Sequence, residues 1–256
     1  MSPTQPTLTL ADVETILWDL FQSEICHSRN VGQHEFQWLA HDDEYWLNDR
    51  GLAIDSLERM AITSAVHSLF DLSESELGDR LLITDTFTQY ARLVHQHMST
   101  EQLFFRSSGS TGNPRSTPHR LTALTEEAQQ YEGFIKPQRI VCLVPTHHIY
   151  GFIWGVLLPR LQRVPVLYNR AARQAAHGGL QTGDLIVALP SWWKYLAHSH
   201  YRLPRGSVGI TSTAPLTLPV HNFCSSKGLR PSMKCTAPAS WQALVFVVTT
   251  KNLLDC

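Results

Sequence analysis

The sequence predicts an α/β protein in which a helical N-terminal segment precedes a layer of buried, largely parallel strands. Two observations carry that prediction. Between Thr9 and Val94, apolar residues recur at helical spacing in several separate runs. Beyond residue 100 the pattern changes to short β-rich runs at residues 139–144, 164–168 and 185–190, alternating with helix-like stretches. Runs that are apolar throughout fit strands covered on both faces, as parallel strands joined by helices are.

The first element is a helix on which Val13, Ile16, Leu17, Leu20 and Phe21 share a face. Thr9, with Asp12 three residues later, stands where a capping box would start it. A polar, histidine-containing loop over residues 26–49 follows, with Trp38 and Trp46 as anchors. Leu57, Met60, Ala61, Ala65 and Leu69 then trace one face of a second helix, and Asp55 with Glu58 forms a second capping box. A short polar stretch, residues 73–79, leads to a last helix over residues 86–94. Next come a helix-like run at residues 124–134, the strand ending at Pro145, an apolar helical segment through Leu161, and the strands at residues 164–168 and 185–190.

A chain of 256 residues, 43% of them hydrophobic, can build one large core or two smaller ones. Its formal net charge of −1 supplies no electrostatic case for nucleic acid or an anionic membrane. The five cysteines are odd in number, scattered and without Cys-x-x-Cys spacing, so a reducing compartment is expected rather than a disulfide framework or a metal site. Residues 1–10 have no basic region and no long apolar stretch, so neither a signal peptide nor a membrane span is expected, and cytoplasmic residence is the default.

Residues 104–115 stand out: Phe104-Phe105-Arg106, then Ser107-Ser108-Gly109-Ser110-Thr111-Gly112-Asn113-Pro114-Arg115. Glycines allow close backbone approach to a ligand, and hydroxyls and backbone N–H groups can donate to phosphate oxygens. The composition alone also fits a polar linker. The Walker pattern fails, because only Ser110 and Thr111 separate Gly109 from Gly112. The run from Ser107 to Arg115 instead resembles the phosphate loop of the adenylate-forming superfamily, Thr/Ser-Ser-Gly-Ser/Thr-Thr-Gly-x-Pro-Lys, with Arg115 where that family has Lys. Pro145-Thr146-His147-His148-Ile149-Tyr150-Gly151 is similar to the family's Pro-x-x-His-x-x-Gly element, whose histidine or aromatic lies between the acyl pocket and the ATP site. Residues 207–216 resemble the Ser/Gly-Gly-Ala-Pro-Leu segment that contacts adenine, although Thr211, Ser212 and Thr213 replace the usual glycines before Ala214 and Pro215.

A second resemblance lies upstream. Gly51-x-x-x-Asp55-Ser56-Leu57 is similar to the Asp-Ser-Leu motif of acyl carrier proteins, whose serine bears phosphopantetheine at the start of a helix, and the helix order over about residues 9–97 matches theirs. A helix cap explains the same residues without any modification, so both readings of Ser56 stay open.

The expected organisation is therefore a helical acyl-carrier-like domain at residues 1–99 and a partial α/β adenylate-forming domain at residues 100–232. The resemblance implies ATP-dependent activation of a carboxylic acid as acyl-AMP and transfer to a thiol, either CoA or carrier phosphopantetheine. It implies that Ser107, Ser108, Gly109, Ser110, Thr111, Gly112 and Arg115 hold phosphates, that His148 borders the acyl pocket, and that Thr211, Ser212, Thr213, Ala214 and Pro215 line adenine. ATP and Mg²⁺ are the implied cofactors, with phosphopantetheine on Ser56 as a further candidate. The rival expectation is a non-enzymatic carrier or interaction module with a degenerate ligase remnant.

The family's next motif, Glu-Val/Ile-Tyr-Gly-Ser-Ser/Thr-Glu, has no counterpart in residues 212–256. If each codon is read from the last base of its predecessor, the Met233-Lys234 junction must encode Glu and the Trp241-Gln242 junction Ala. The remaining junctions permit Glu-Val-Tyr-Gly-Ser-Ser-Glu-Leu-Ala-Gly. Residues 233–256 are accordingly expected to be an out-of-frame tail. The chain is then expected to lack the motif's magnesium-binding glutamate, a later ribose-binding aspartate and the C-terminal domain with its lysine, and to be impaired or inactive.

Overall fold

The structure is a computed structural model, and it describes residues 7–32, 45–72, 75–107, 115–133, 135–199, 203–211, 229–233 and 246–250. Two compact units are present: Met1–Thr125 with Pro145–Ile149, and Glu126–Val144 with Tyr150–Cys256. Helices fill most of the first, and a mixed sheet with a parallel centre organises the second.

In the first unit, α1 (Leu10–Ser28) starts at Thr9, whose side chain accepts from the Asp12 N–H while the Asp12 carboxylate accepts from the Thr9 N–H at 2.8 Å. Both halves of the expected box are made, which satisfies donors that a helix start otherwise leaves open. α2 (Ser56–Phe70) starts the same way, with Asp55 accepting from the Glu58 N–H at 2.8 Å and Glu58 accepting from the Asp55 N–H. The polar stretch after it is itself a helix, α3 (Ser75–Leu82), followed by α4 (Phe87–His97).

The buried face of α2 is rotated from the one that the spacing suggested. Ile62, Ala65, Val66, Leu69 and Phe70 are inside, whereas Leu57 and Met60 are 73% and 59% exposed. Glu58 explains the offset, because its carboxylate faces inward to Arg29, receiving Nε at 2.7 Å and Nη2 at 2.8 Å. Arg29 also donates to the carbonyls of Leu52 and Ala53, so one guanidinium ties α1 to the turn before α2. Gly51 in that turn lies so close to Trp46 that a Cβ there would come 2.3 Å from the Trp46 carbonyl oxygen.

The Arg29 guanidinium holds the Glu58 carboxyl below its ordinary value of 4.5. A carboxyl depressed in the fold stabilises it above the unfolded pKa and loses that contribution as pH falls through the folded value. Glu58→Gln should therefore lower Tm at neutral pH and flatten the decline of stability below about pH 4.5, which thermal melts between pH 7 and 3 would measure.

Where α1, α2 and α4 meet, Phe21 packs edge-on to Phe87 and Tyr90 at 5.5 and 5.0 Å, and the Tyr90 hydroxyl shares a 3.2 Å hydrogen bond with Thr63. Arg59 closes the end of α3 by donating to the carbonyls of Leu82 and Thr84. The unit also contains an antiparallel hairpin, β1 (Gln102–Ser107) and β2 (Arg115–Arg120), in register from Gln102 opposite Arg120 to Ser107 opposite Arg115.

In the second unit, α5 (Leu121–Glu132, entering from the first), β3 (Arg139–Cys142), β4 (Val166–Leu167), β5 (Asp184–Val187) and β6 (Val208–Ile210) follow in sequence. Further strands, β7 (Leu229–Met233) and β8 (Phe246–Thr250), complete a six-stranded sheet of order β4-β3-β5-β6-β8-β7. The pairs β3/β4, β3/β5 and β5/β6 are parallel, as expected of all-apolar runs, and β5 is buried along its whole length. β8 joins β6 antiparallel and pairs with β7 antiparallel.

The helix after the His147-His148 turn runs as α6 (Ile149–Phe152), a π-helical turn (Ile153–Leu157) and α7 (Leu158–Gln162). Tyr168 donates its hydroxyl to the Gly155 carbonyl at 2.6 Å within that turn, giving a partner to a carbonyl at the irregular position. α8 (Asn169–Gln174) and α9 (Pro190–His198) pack Ala172, Trp193 and Leu196 onto Val141, Ile186 and Ala188 of the sheet region. Trp193 lies directly over Gly209, where a Cβ would fall 2.2 Å from the indole Cη2. Gly209→Ala should cost about 1–3 kcal/mol by overpacking, measured by urea denaturation against wild type.

Candidate active site

β1 alternates strictly. Leu103 and Phe105 are buried, while Phe104 and Arg106 belong to the other face. That second face contributes to a cavity of about 370 Å³ inside the first unit, walled by α1 (Leu20, Glu24), α2 (Leu69), Phe104, Arg106 and the two histidines, His147 and His148.

The histidine turn is fixed at both ends of its short span. The His148 N–H donates to the Pro145 carbonyl at 3.2 Å, and Thr146, fully buried, gives its N–H and hydroxyl to Asp19 Oδ2 at 2.7 Å each. The rings of His147 and His148 pack 4.3 Å apart. His147 Nδ1 is buried without a hydrogen-bond partner, and burial, reinforced by His148 and Arg106, pushes its pKa down from 6.5 to about 3. Desolvation lowers His148 as well. At neutral pH both rings are therefore uncharged and can donate from one nitrogen and accept on the other. Arg106 supplies positive charge at the edge, 3.9 Å from Glu24.

Of the residues that the sequence singled out, His148 lies on this cavity. Ser107 and Arg115 face each other as the closing pair of the β1–β2 hairpin, so the run between them is the hairpin's connection. Ser108, Gly109, Ser110, Thr111 and Gly112 lie outside the described residues, as do Ser212, Thr213, Ala214 and Pro215. Thr211 is described in the second unit, directly after β6, with its hydroxyl buried and without a hydrogen-bond partner. Ser56 is exposed at the first position of α2, next to the Asp55 cap. Among the described residues, no group of three His, Cys, Asp or Glu is placed to hold a metal, and no helix is long and apolar enough to cross a membrane.

No sequence pattern marks Asp19, Glu24 or Leu69 as neighbours of the histidine turn. Arg106 had a signal: in a run whose other members are apolar, period-two alternation puts it with Phe104 on the face opposite Leu103 and Phe105.

No protein-family model matches the chain. Curated relatives do. A protein of Halorhodospira halophila named 4-coumarate–CoA ligase is 35% identical over 230 residues, 87% of this chain and 57% of that one. Proteins of the same name from Cereibacter sphaeroides and Rhodobacter capsulatus are each 32% identical, over 81% and 80% of this chain and 54% and 56% of their own lengths. The chain thus spans about half the length of the curated relatives it matches. Among solved structures, ATP-bound MatB from Rhodopseudomonas palustris gives a TM-score of 0.41 at 14% identity, over 56% of this chain and 31% of that one. An ATP-bound RpMatB–BxBclM chimera gives 0.42 over the same shares.

The sequence similarity reaches 87% of the chain, a share that no alignment confined to residues 100–256 could attain, so it extends into the helical segment. The fold is α/β with a parallel centre to its sheet, and the relatives matched over most of the chain are named as ligases. The chain belongs to the AMP-forming ligase superfamily, and its curated relatives are named as CoA ligases.

Proposed function

We propose that this chain derives from, and when complete in its motifs performs, ATP-dependent activation of a carboxylic acid as acyl-AMP, followed by transfer of the acyl group to a thiol. The observation that carries the reading is the similarity to three proteins named 4-coumarate–CoA ligase, each over 80% or more of this chain. An aromatic or similarly sized acid and CoA are the proposed substrates, with carrier-bound phosphopantetheine as the other thiol.

In the proposed reaction a carboxylate oxygen attacks the α-phosphorus of ATP and pyrophosphate leaves. The hairpin connection, with the N–H and hydroxyl groups of Ser108, Gly109, Ser110, Thr111 and Gly112, would hold phosphate oxygens, and Ser107 and Arg115 would set its ends. Such donors contribute most where charge builds up in the transition state. The neutral His148 would border the acyl group without adding charge against it. Thr211 would begin the adenine-facing segment that continues through Pro215. Mg²⁺ would enter on the triphosphate, since such ions are commonly held by substrate phosphates with few protein ligands.

By the motifs each part carries we divide the chain into a carrier-like part at residues 1–99, a ligase part at residues 100–232 and an out-of-frame tail at residues 233–256, while the similarity to the CoA ligases reaches into the first of these. The test is carboxylate-dependent exchange of pyrophosphate into ATP, with 4-coumarate as the first probe. The 256-residue chain should show little exchange, and a version with the frame restored near residues 225–233 should show it clearly. Robust exchange by the unrestored chain would refute the proposed frame shift, and none by either would refute the ligase reading.

A second reading, a carrier or interaction module, is favoured by one cluster: the exposed Ser56 hydroxyl beside the exposed Leu57 and Met60 side chains. Phosphopantetheine on Ser56 would supply a flexible thiol for acyl transfer. Mass spectrometry after incubation with a phosphopantetheinyl transferase should show an adduct that Ser56→Ala abolishes; an unmodified wild-type chain would leave Ser56 as a helix-start residue only.

A further inference from the structure

The turn that carries His147 and His148 is held from far away in the sequence. Asp19 lies on the inward face of α1, between Ile16 and Leu20, and is 8% exposed. Its Oδ2 accepts both the N–H and the hydroxyl of Thr146 at 2.7 Å, across 127 residues of sequence. Thr146 is wholly buried, and its hydroxyl also lies 3.2 Å from the Thr15 carbonyl, one helical turn before Asp19. A carboxylate among apolar side chains is costly unless hydrogen-bonded. Hydrophobic packing alone would have favoured an aliphatic residue here, so the carboxylate requires an explanation beyond filling space.

The next two residues after Thr146 are the histidines of the cavity, and the next turn of α1 after Asp19 supplies Leu20, Ser23 and Glu24 to the same cavity. Two hydrogen bonds from one oxygen fix both the backbone and the side chain of Thr146. With Pro145 before it and the His148-to-Pro145 bond after it, the turn keeps little freedom. We propose that Asp19 is a positioning residue for the reaction: through Thr146 it holds His147 and His148 against the cavity, making α1 part of the acyl-activating site. This rests on the ligase reading above for its chemistry, but not for its geometry.

The test uses the full 256-residue chain and the ring signals of His147 and His148 in proton–carbon NMR spectra, assigned from His147→Gln and His148→Gln. Asp19→Ala and Thr146→Val should move both sets of ring signals by more than a line width, and Thr146→Ser, which keeps both donors, should return them. Val94→Ala, in α4 and away from the cavity, should lower Tm while leaving those signals in place; this separates positioning from loss of stability. If Asp19→Ala does not fold, the Thr146→Val and Thr146→Ser pair decides. Unmoved ring signals in a folded Asp19→Ala or Thr146→Val, or equal movement in Val94→Ala, would overturn the proposal. Absence of pyrophosphate exchange in the frame-restored chain, with the ring signals behaving as expected, would remove the ligase reading and leave the positioning of the turn supported.

Discussion

Asp184→Ala is expected to destabilise the sheet unit by about 3–5 kcal/mol, a large fraction of what a domain of this size has. Asp184 opens β5 and is 1% exposed. Its two oxygens take Arg139 Nε and Nη2 at 2.9 and 2.6 Å, and Oδ2 also accepts the Gln181 N–H at 2.8 Å. Arg139 opens β3 and is the register partner of Asp184, so the pair clasps two central parallel strands at their first residues. The neighbouring carboxylate raises the Arg139 pKa further, so the guanidinium stays charged at any ordinary pH. Removing the acid would leave a largely buried cation with only the Gly179 carbonyl among these partners. Replacing both residues by aliphatics should recover much of the loss, because breaking a buried pair costs more than removing it whole. Urea denaturation of the single and double variants measures this; a loss below about 1 kcal/mol for Asp184→Ala would show that the pair behaves as an exposed one.

The Ser110→Ala/Thr111→Ala double variant of the frame-restored chain should lose at least about 100-fold in carboxylate-dependent pyrophosphate exchange, the scale on which removal of transition-state donors acts. Its Tm should change little, since both residues lie in the connection of the β1–β2 hairpin and the strands are paired up to Ser107 and Arg115 on either side. An unchanged exchange rate would return this run to the status of a polar linker.

Much of the helical unit was legible because caps and periodicity act locally. Thr9 with Asp12 and Asp55 with Glu58 sit three residues apart, and nothing distant is needed to form them. The face of α2 was misjudged because the inward Glu58 depends on Arg29, a partner that no local pattern reveals. The parallel strands were readable from uninterrupted apolar runs, and β5 is buried at every position. β2 was not: Arg115, Ser116, Thr117, Pro118, His119 and Arg120 show neither alternation nor an apolar run, and their strand form comes from pairing with β1. α9 was overlooked although Pro190 at its first turn is a recognised start signal.

The site divides in the same way. The phosphate-loop resemblance and the His148 element are contiguous strings and could be read directly. The cavity that His148 joins is not contiguous. It draws Leu20 and Glu24 from α1, Leu69 from α2 and Arg106 from β1. Asp19 and Thr146 are each unremarkable in sequence, and only folding shows that they belong together.

Acid activation through an adenylate makes one demand that other routes to a thioester do not: an oxygen of the acid must end on AMP. The frame-restored chain should be given 4-coumarate labelled with ¹⁸O in its carboxylate, together with ATP, Mg²⁺ and CoA, and the nucleotide products weighed by mass spectrometry. The account predicts AMP carrying one ¹⁸O atom, because the carboxylate oxygen bonded to the α-phosphorus stays there when the thiol takes the acyl group. Label found in inorganic phosphate alongside ADP, or thioester formed with unlabelled AMP, would contradict it.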